Sequence, residues 1–156
     1  MKTLVVFYSR TGTTKKVALE IANKLGAEIE EIKDTVNRSG VKGYLVSGRD
    51  AMKKRLTTLE LTTKNPADFD LVIIGTPIWG WNMSVPVRTY ITEKKNNFKK
   101  VAFFCTMGGT GDDKTFAEME QIVGQKPAAT LALLTRDVAK NDFAEKLEKF
   151  TDALSA

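Results

Sequence analysis

Short apolar runs alternate with amphipathic stretches along the 156 residues, and this alternation restricts the fold more than any other feature. Four of the runs are almost continuously apolar, as expected for central strands of a parallel sheet covered on both faces. The run at 27–32 alternates polar and apolar residues, which is typical of an edge strand. The pattern therefore predicts five parallel strands, at residues 4–8, 27–32, 71–74, 101–105 and 130–134.

The stretches between these runs have the apolar spacing of helices. Val17, Ile21 and Leu25 recur at every fourth position, and Gly26 is placed to end that helix. Strands that alternate with helices predict βαβ units with right-handed crossovers. We therefore expect a three-layer α/β sandwich, formed by a single domain that spans residues 1–156.

One connection, from Lys33 to Asp70, is longer than the others. It contains a helical stretch from Ser47 to Leu56, with Ser47 and Asp50 as a potential capping box. Connections of this length are often functional. Two interpretations stay open: a second crossover helix with long flanking loops, or a dedicated binding lid.

The composition excludes several kinds of chemistry. The chain has no histidine, which removes Ser-His-Asp and Cys-His catalysis and most zinc sites. Its single cysteine, Cys105, cannot form an internal disulfide. No apolar run is long enough to span a bilayer, and the N-terminus lacks a signal-peptide pattern. We expect a cytoplasmic protein with no membrane partner, no metal site and no catalytic side chain of its own.

The net charge is +5, with lysine and arginine spread along the chain and mixed with acidic residues. A basic balance of this size suits an acidic partner. Because the charges are mixed, a solvated basic surface is favoured over a nucleic-acid footprint. No nucleic-acid partner is expected.

A hydroxyl-rich turn follows the first strand, where ligands of parallel sheets bind beyond the carboxyl ends of the strands. Hydroxyls, backbone N–H groups and a helix N-terminus can together wrap a phosphate, and Gly12 permits a close backbone approach. The alternative is a capping turn without a ligand. The predicted phosphate-binding residues are Ser9, Arg10, Thr11, Gly12, Thr13 and Thr14.

Two tryptophans flank a glycine after the third strand. Aromatic side chains at this edge can stack on a planar ring, or they can pack onto neighbouring loops. We favour stacking because the pair follows a strand beside the hydroxyl-rich turn. The candidate binding residues here are Thr76, Pro77, Ile78, Trp79, Gly80 and Trp81.

Three glycines within four residues follow the fourth strand, which lets the backbone itself approach a ligand. A flexible turn explains this stretch equally well. Together the three loops would surround a phosphorylated planar ring, a cofactor that carries its own chemistry. The candidate residues in this loop are Thr106, Met107, Gly108, Gly109, Thr110 and Gly111.

These motifs resemble those of the flavodoxins. Ser9-x-Thr11-Gly12-x-Thr14 matches the flavodoxin phosphate pattern [ST]-x-T-G-x-T, and Trp79-Gly80 matches the loop in which a tryptophan stacks on the flavin. The resemblance covers nearly the whole chain and is to the short-chain type. It implies a five-stranded parallel sheet of order 2-1-3-4-5 and the cofactor FMN.

The resemblance also implies roles for single residues. The hydroxyls of the first turn would hold the FMN phosphate, and Trp79 would cover one face of the isoalloxazine. The peptide at Gly80 would turn over to accept a hydrogen bond when the flavin takes one electron. Two features depart from the family pattern: no aromatic residue lies between Asp112 and Phe116, and the chain is basic.

Two functions are compatible with these features. The first is an electron carrier that shuttles electrons between redox partner proteins through bound FMN, with a monomer favoured. The alternative is an FMN-dependent NAD(P)H:quinone-type oxidoreductase, in which the open flavin face would admit a second ligand. A response-regulator receiver is excluded because Ser9 and Thr76 occupy positions where receivers need acidic residues.

Overall fold

The computed structural model describes residues 1–156 and contains six strands and six α-helices. The strands are β1 (Thr3–Phe7), β2 (Glu28–Glu31), β3 (Leu71–Trp79), β4 (Asn82–Met83), β5 (Val101–Met107) and β6 (Thr130–Leu134). The helices are α1 (Thr13–Leu25), α2 (Gly40–Met52), α3 (Val85–Lys94), α4 (Asp112–Val123), α5 (Thr135–Ala139) and α6 (Ala144–Ser155). None of these helices is long and apolar enough to cross a membrane.

The five long strands form a parallel sheet in the order β2-β1-β3-β5-β6. This order confirms the predicted arrangement, since β5 and β6 are the fourth and fifth parallel strands. The short strand β4 was not predicted. It pairs antiparallel with the end of β3, so residues 78–83 form a hairpin at the carboxyl edge of the sheet.

Two apolar layers cover the sheet. Alternate residues of each central strand point to opposite faces, so Ile74 and Phe103 join one layer while Ile73 and Phe104 join the other. Helices α2, α3 and α4 contribute to the first layer, and α1, α5 and α6 to the second. The three-layer α/β sandwich is confirmed.

The helix of the long connection differs from the prediction. Helix α2 runs from Gly40 to Met52, so the predicted helix from Ser47 to Leu56 is wrong at both ends. Ser47 and Asp50 do not cap it, because both lie inside it and are buried. Helix α1 does end as expected, with Gly26 left-handed after Leu25.

Candidate functional site

A cavity of about 1090 Å³ opens at the carboxyl edge of the sheet. Four walls enclose it: the hydroxyl loop (residues 9–14), the Trp hairpin (residues 77–83), the glycine loop (residues 106–111) and helix α2. Fourteen of the eighteen predicted site residues line it, namely Arg10, Thr11, Thr13, Thr14, Pro77, Ile78, Trp79, Gly80, Trp81, Thr106, Met107, Gly108, Gly109 and Thr110.

The remaining four predicted residues lie in or beside the same loops but do not line the cavity. Ser9 Oγ accepts a hydrogen bond from the Gly12 N–H at 3.0 Å, which closes the hydroxyl loop. Thr76 is fully buried, and its Oγ1 accepts a hydrogen bond from the Ser84 N–H at 2.9 Å. Gly111 is the residue before α4. These four, Ser9, Gly12, Thr76 and Gly111, are outside the cavity lining.

The hydroxyl loop presents unpartnered backbone donors. Gly12 precedes α1 with φ 97°, a conformation that only glycine adopts readily, and no side chain caps the helix. The first helical bond joins the Lys16 N–H to the Gly12 carbonyl, so the N–H groups of residues 13–15 have no helical acceptor. Such a helix N-terminus attracts an anion.

Two residues of this loop, Arg10 and Thr14, fix it to its neighbours. The Thr14 and Thr106 hydroxyls form a buried hydrogen bond of 2.8 Å, which ties the start of α1 to the end of β5. Arg10 Nη1 donates to the Arg38 carbonyl at 3.3 Å, and its guanidinium lies 5.5 Å from the Tyr44 ring. The hydroxyl loop is therefore connected both to the glycine loop and to α2.

Both lysines of the first helical turn are held away from this N-terminus. Lys15 pairs with Glu31 at 3.0 Å, and Lys16 Nζ donates to the Val138 carbonyl near the end of α5. Their positive charges therefore lie at the flanks of α1. Arg10 is the cation that the hydroxyl loop itself contributes to the cavity lining.

The Trp hairpin turns through two left-handed residues. Gly80 has φ 51° and Trp81 has φ 62°, between the paired residues Trp79 and Asn82, which is the arrangement of a type I′ turn. A left-handed conformation costs a residue with a Cβ about 1–2 kcal/mol. The hairpin thus holds Trp81 in a strained conformation with 60% of the residue exposed. Strain of this kind is found at ligand-binding sites.

Trp79, by contrast, belongs to the core and is only 9% exposed. Its ring lies perpendicular to that of Tyr8, with 5.4 Å between centroids, and the Arg38 guanidinium lies 5.5 Å from its centroid. Trp79 reaches the cavity lining, but its ring is already packed on two neighbours. The indole that is free to stack on a ligand is that of Trp81.

A buried ion cluster lies behind Trp79. Arg38 Nε contacts Asp34 Oδ2 at 2.6 Å, and both side chains are 2% exposed. Arg38 Nη1 also reaches Asp50 in α2, at 3.3 Å. Burial raises the pKa of Asp50, but hydrogen bonds from three arginines outweigh it and hold that pKa below its ordinary value. The cluster therefore ties α2 to Arg38, whose guanidinium lies against the ring of Trp79 in the Trp hairpin.

Eight lining residues were missed by the sequence analysis. Thr135 begins α5, and its hydroxyl donates to the Met107 carbonyl at 3.2 Å. The other seven come from α2 and the residue after it: Tyr44, Leu45, Ser47, Gly48, Arg49, Met52 and Lys53. A Cβ on Gly80 would lie 2.5 Å from Met52 Cγ, so the Trp hairpin and α2 are in close contact. The signal for this wall was the helical spacing of Leu45, Gly48 and Met52.

The electrostatics of the cavity favour an anion. Its lining includes three cations, Arg10, Arg49 and Lys53, and no carboxylate. Unpartnered backbone donors stand at one wall, an exposed indole at another, and apolar side chains of α2 at a third. This combination can hold a molecule with a phosphate at one end and a planar ring at the other.

Solved structures with the same fold include several flavoproteins. A flavoprotein from Lactobacillus acidophilus NCFM, crystallised with FMN, is 25% identical, with a TM-score of 0.72 and coverage of 89% of this chain and 97% of that one. A flavoprotein from Bacteroides eggerthii is 22% identical, with a TM-score of 0.78 and coverage of 99% and 98%. Flavodoxin 2 from Bacillus cereus is 19% identical, with a TM-score of 0.61 and coverage of 99% and 98%.

A comparison with curated proteins gave no match. The family model for flavodoxin matches residues 2–150, which is nearly the whole chain. The parallel sheet of order β2-β1-β3-β5-β6 is the one that the flavodoxin resemblance implied. The chain therefore belongs to the flavodoxin family.

Proposed function

We propose that this protein binds FMN in the cavity and carries electrons between redox partner proteins. The observation that carries the proposal is that the uncapped N-terminus of α1 and the exposed indole of Trp81 line one cavity without carboxylates. The Lactobacillus acidophilus flavoprotein, crystallised with FMN, supports the choice of cofactor.

The phosphate of FMN fits the hydroxyl loop. The N–H groups of residues 13–15 and the hydroxyls of Thr11 and Thr13 would hold it, while Arg10 would add a positive charge. The Thr14 hydroxyl is engaged by Thr106, so Thr14 would contribute its N–H rather than its side chain. An anion here is stabilised by the α1 dipole.

The ring system of FMN fits the apolar part of the cavity. Trp81 offers a free indole face, and Ile78 and Met52 add apolar contacts beside it. The glycine loop would bring backbone rather than an aromatic side chain to the ring. When bound, FMN supplies the reversible uptake of one or two electrons.

Asn82 controls the Gly80 peptide. Its Nδ2 donates to the Gly80 carbonyl oxygen at 2.7 Å, and this bond keeps the oxygen directed toward the Asn82 side chain. If the Gly80 carbonyl turns toward the ring, this bond must break, and a net hydrogen bond is worth about 0.5–1.5 kcal/mol. For one electron, 1.4 kcal/mol corresponds to about 60 mV. Asn82 is therefore a positioning residue: it makes this rearrangement less favourable, by a free energy equivalent to tens of millivolts in the one-electron potential.

A second function is favoured by one feature of the cavity. Its volume of about 1090 Å³ lies just above the range for small-molecule sites, roughly 300–1,000 Å³. The glycine loop has no aromatic side chain to cover the ring. The extra space would admit a nicotinamide or quinone, as in an FMN-dependent NAD(P)H:quinone-type oxidoreductase.

Two measurements test these functions. Fluorescence titration of flavin-free protein with FMN tests the cofactor, and anaerobic stepwise reduction of the loaded protein tests its use. A carrier is expected to be reduced in two resolved one-electron steps. One two-electron step, together with NAD(P)H-dependent quinone reduction, would favour the oxidoreductase. Absence of FMN binding would refute both.

A further inference from the structure

Helix α2 has its polarity inverted. Its buried positions are Gly43, Ser47, Asp50 and Ala51, whereas four of its five large apolar side chains are exposed and the fifth, Val46, is half-buried. These exposed side chains are those of Val41, Tyr44, Leu45 and Met52. A surface helix normally buries its apolar stripe. Exposed apolar patches of this kind mark interaction sites.

The positive charge of the chain is concentrated on the same segment. Residues 38–55 contain six of the 24 lysines and arginines but only one of the 19 acidic residues. The rest of the chain has 18 of each and is electrically balanced. The lysines and arginines are thus spread along the chain and mixed with acidic residues, as expected, but the net excess of +5 lies on α2 and its flanks.

Some of these cations are free and some are paired. Asp50 is shared by three arginines, and Lys54 pairs with Glu118. Lys42 and Lys53 are exposed and make no ion pair. Positions 42, 49 and 53 lie along one side of the helix, beside the apolar stripe, over about 16 Å at 1.5 Å per residue.

We infer that the exposed face of α2, together with Trp81, is a docking surface for an acidic partner protein. The surface is defined by Val41, Leu45, Met52 and Trp81, bordered by Lys42 and Lys53. It continues into the cavity, so a partner seated there would be adjacent to bound FMN. The inference rests on the proposed electron-carrier function, for which it names the chemistry of the partner.

The composition of the surface favours a protein over other acidic partners. The surface exposes Trp81 and Met52, and tryptophan and methionine are among the residue types enriched in protein interfaces. Nucleic acid would be bound mainly through many phosphate contacts, and this surface has only two unpaired lysines. Recognition of an anionic lipid surface usually takes a cluster of about four to eight lysines and arginines, whereas two lysines, Lys42 and Lys53, border this surface. Complementary charge would also speed the encounter of the two proteins.

The test uses an acidic iron–sulfur ferredoxin as the probe and a basic cytochrome c as its opposite. Calorimetry is performed at low and high salt, with flavin-free and FMN-loaded protein. We expect the ferredoxin to bind, salt to weaken the complex, and Lys42→Glu/Lys53→Glu to weaken it at least about tenfold. The cytochrome should bind more weakly than the ferredoxin to the native chain.

The control is a double variant that also changes two lysines to glutamates, but at the opposite edge of the sheet. Lys95 and Lys100 are also exposed and unpaired, and they precede β5, at the edge opposite the cavity. Lys95→Glu/Lys100→Glu should therefore leave the ferredoxin complex nearly unchanged. A third variant, Val41→Ser, removes an apolar contact outside the cavity lining and should weaken binding without altering its salt dependence.

Three results would overturn the inference: equal weakening by the two double variants, no salt-sensitive complex with ferredoxin, or tighter binding to a single-stranded oligonucleotide or to phosphatidylserine vesicles. The two proposals fail separately. If FMN binds and ferredoxin does not, only the docking surface is refuted. If ferredoxin binds as expected but FMN does not, only the proposed cofactor function is refuted.

Discussion

The hydroxyl loop and α2 both line the cavity, but they are built in different ways. The hydroxyl loop follows β1 directly, and its donors are backbone groups and short side chains of consecutive residues. The α2 wall consists of long side chains whose positions depend on residues distant in sequence, through the Asp34–Arg38–Asp50 cluster. A loop of the first kind is identified by consecutive residues, whereas the helical spacing in a wall of the second kind does not show which of its faces is buried.

The largest effect should come from Trp79, which packs on Tyr8, just before the hydroxyl loop, and on Arg38, the partner of Asp50 in α2. Trp79→Ala removes a buried ring that packs on Tyr8 and Arg38, and it should lower the free energy of unfolding by about 3–5 kcal/mol. Trp81→Ala, at an exposed position, should change it by less than about 1 kcal/mol. Urea unfolding of both variants measures the contrast. Equal losses would contradict the assignment of Trp79 to the core and Trp81 to the ligand.

The next prediction concerns Asp50, which anchors α2, and the stability that its charge loses at low pH. The pKa of Asp50 is raised by burial but lowered more by its arginine partners, so the folded state binds a proton less readily than the unfolded state. The stabilisation is therefore present above the unfolded pKa, near about 4, and is lost as the pH falls through the lower folded pKa. Asp50→Asn should cost about 1.5–3 kcal/mol at pH near 7.

Urea unfolding across pH measures this effect. The difference between the native chain and Asp50→Asn should narrow as the pH falls below about 4. Glu145→Gln is the matched control, because Glu145 is exposed and pairs only with exposed Lys149. A difference that stays constant with pH would show that the Asp50 charge does not anchor α2.

The role of the hydroxyl loop in FMN binding can be tested by straining its backbone at Gly12. Gly12→Val forces a branched side chain into a left-handed conformation with φ 97°, which costs about 1–2 kcal/mol or relaxes the loop. FMN affinity should then fall roughly 5- to 30-fold, at 1.4 kcal/mol per factor of ten. Gly26→Val places similar strain at the other end of α1, where φ is 59°. Its FMN affinity, measured by fluorescence titration, should stay near that of the native chain.

The strands and the three loops could be predicted because each is a contiguous pattern. Apolar runs identify β1, β3, β5 and β6, and the loops follow directly from where these strands end. Helix α2 was misplaced because its polarity is inverted: buried Ser47 and Asp50 have the appearance of a cap, and exposed Leu45 and Met52 that of a core face. Contacts with Arg38, twelve residues before Asp50, decide its orientation.

The roles of the two tryptophans could not be assigned from sequence for a related reason. In a continuous strand, residues 79 and 81 would share a face. The left-handed Gly80 and Trp81 interrupt the strand and turn the chain into β4. One indole therefore enters the core while the other is exposed. The turn type decides this, and an aromatic residue at its second central position is not part of the turn's usual sequence signature.

The smallest expected effect separates strain from stacking at Trp81. Trp81→Gly and Trp81→Ala both remove the indole, but only glycine adopts φ 62° without strain. The glycine variant should be more stable to urea than the alanine variant by about 0.5–1 kcal/mol. Both should bind FMN more weakly than the native chain, by a similar factor. A glycine variant that gains stability while losing affinity would show that the hairpin keeps a strained residue for its ring, as functional sites do. Unchanged FMN affinity in both variants would contradict stacking of the Trp81 indole on the ring.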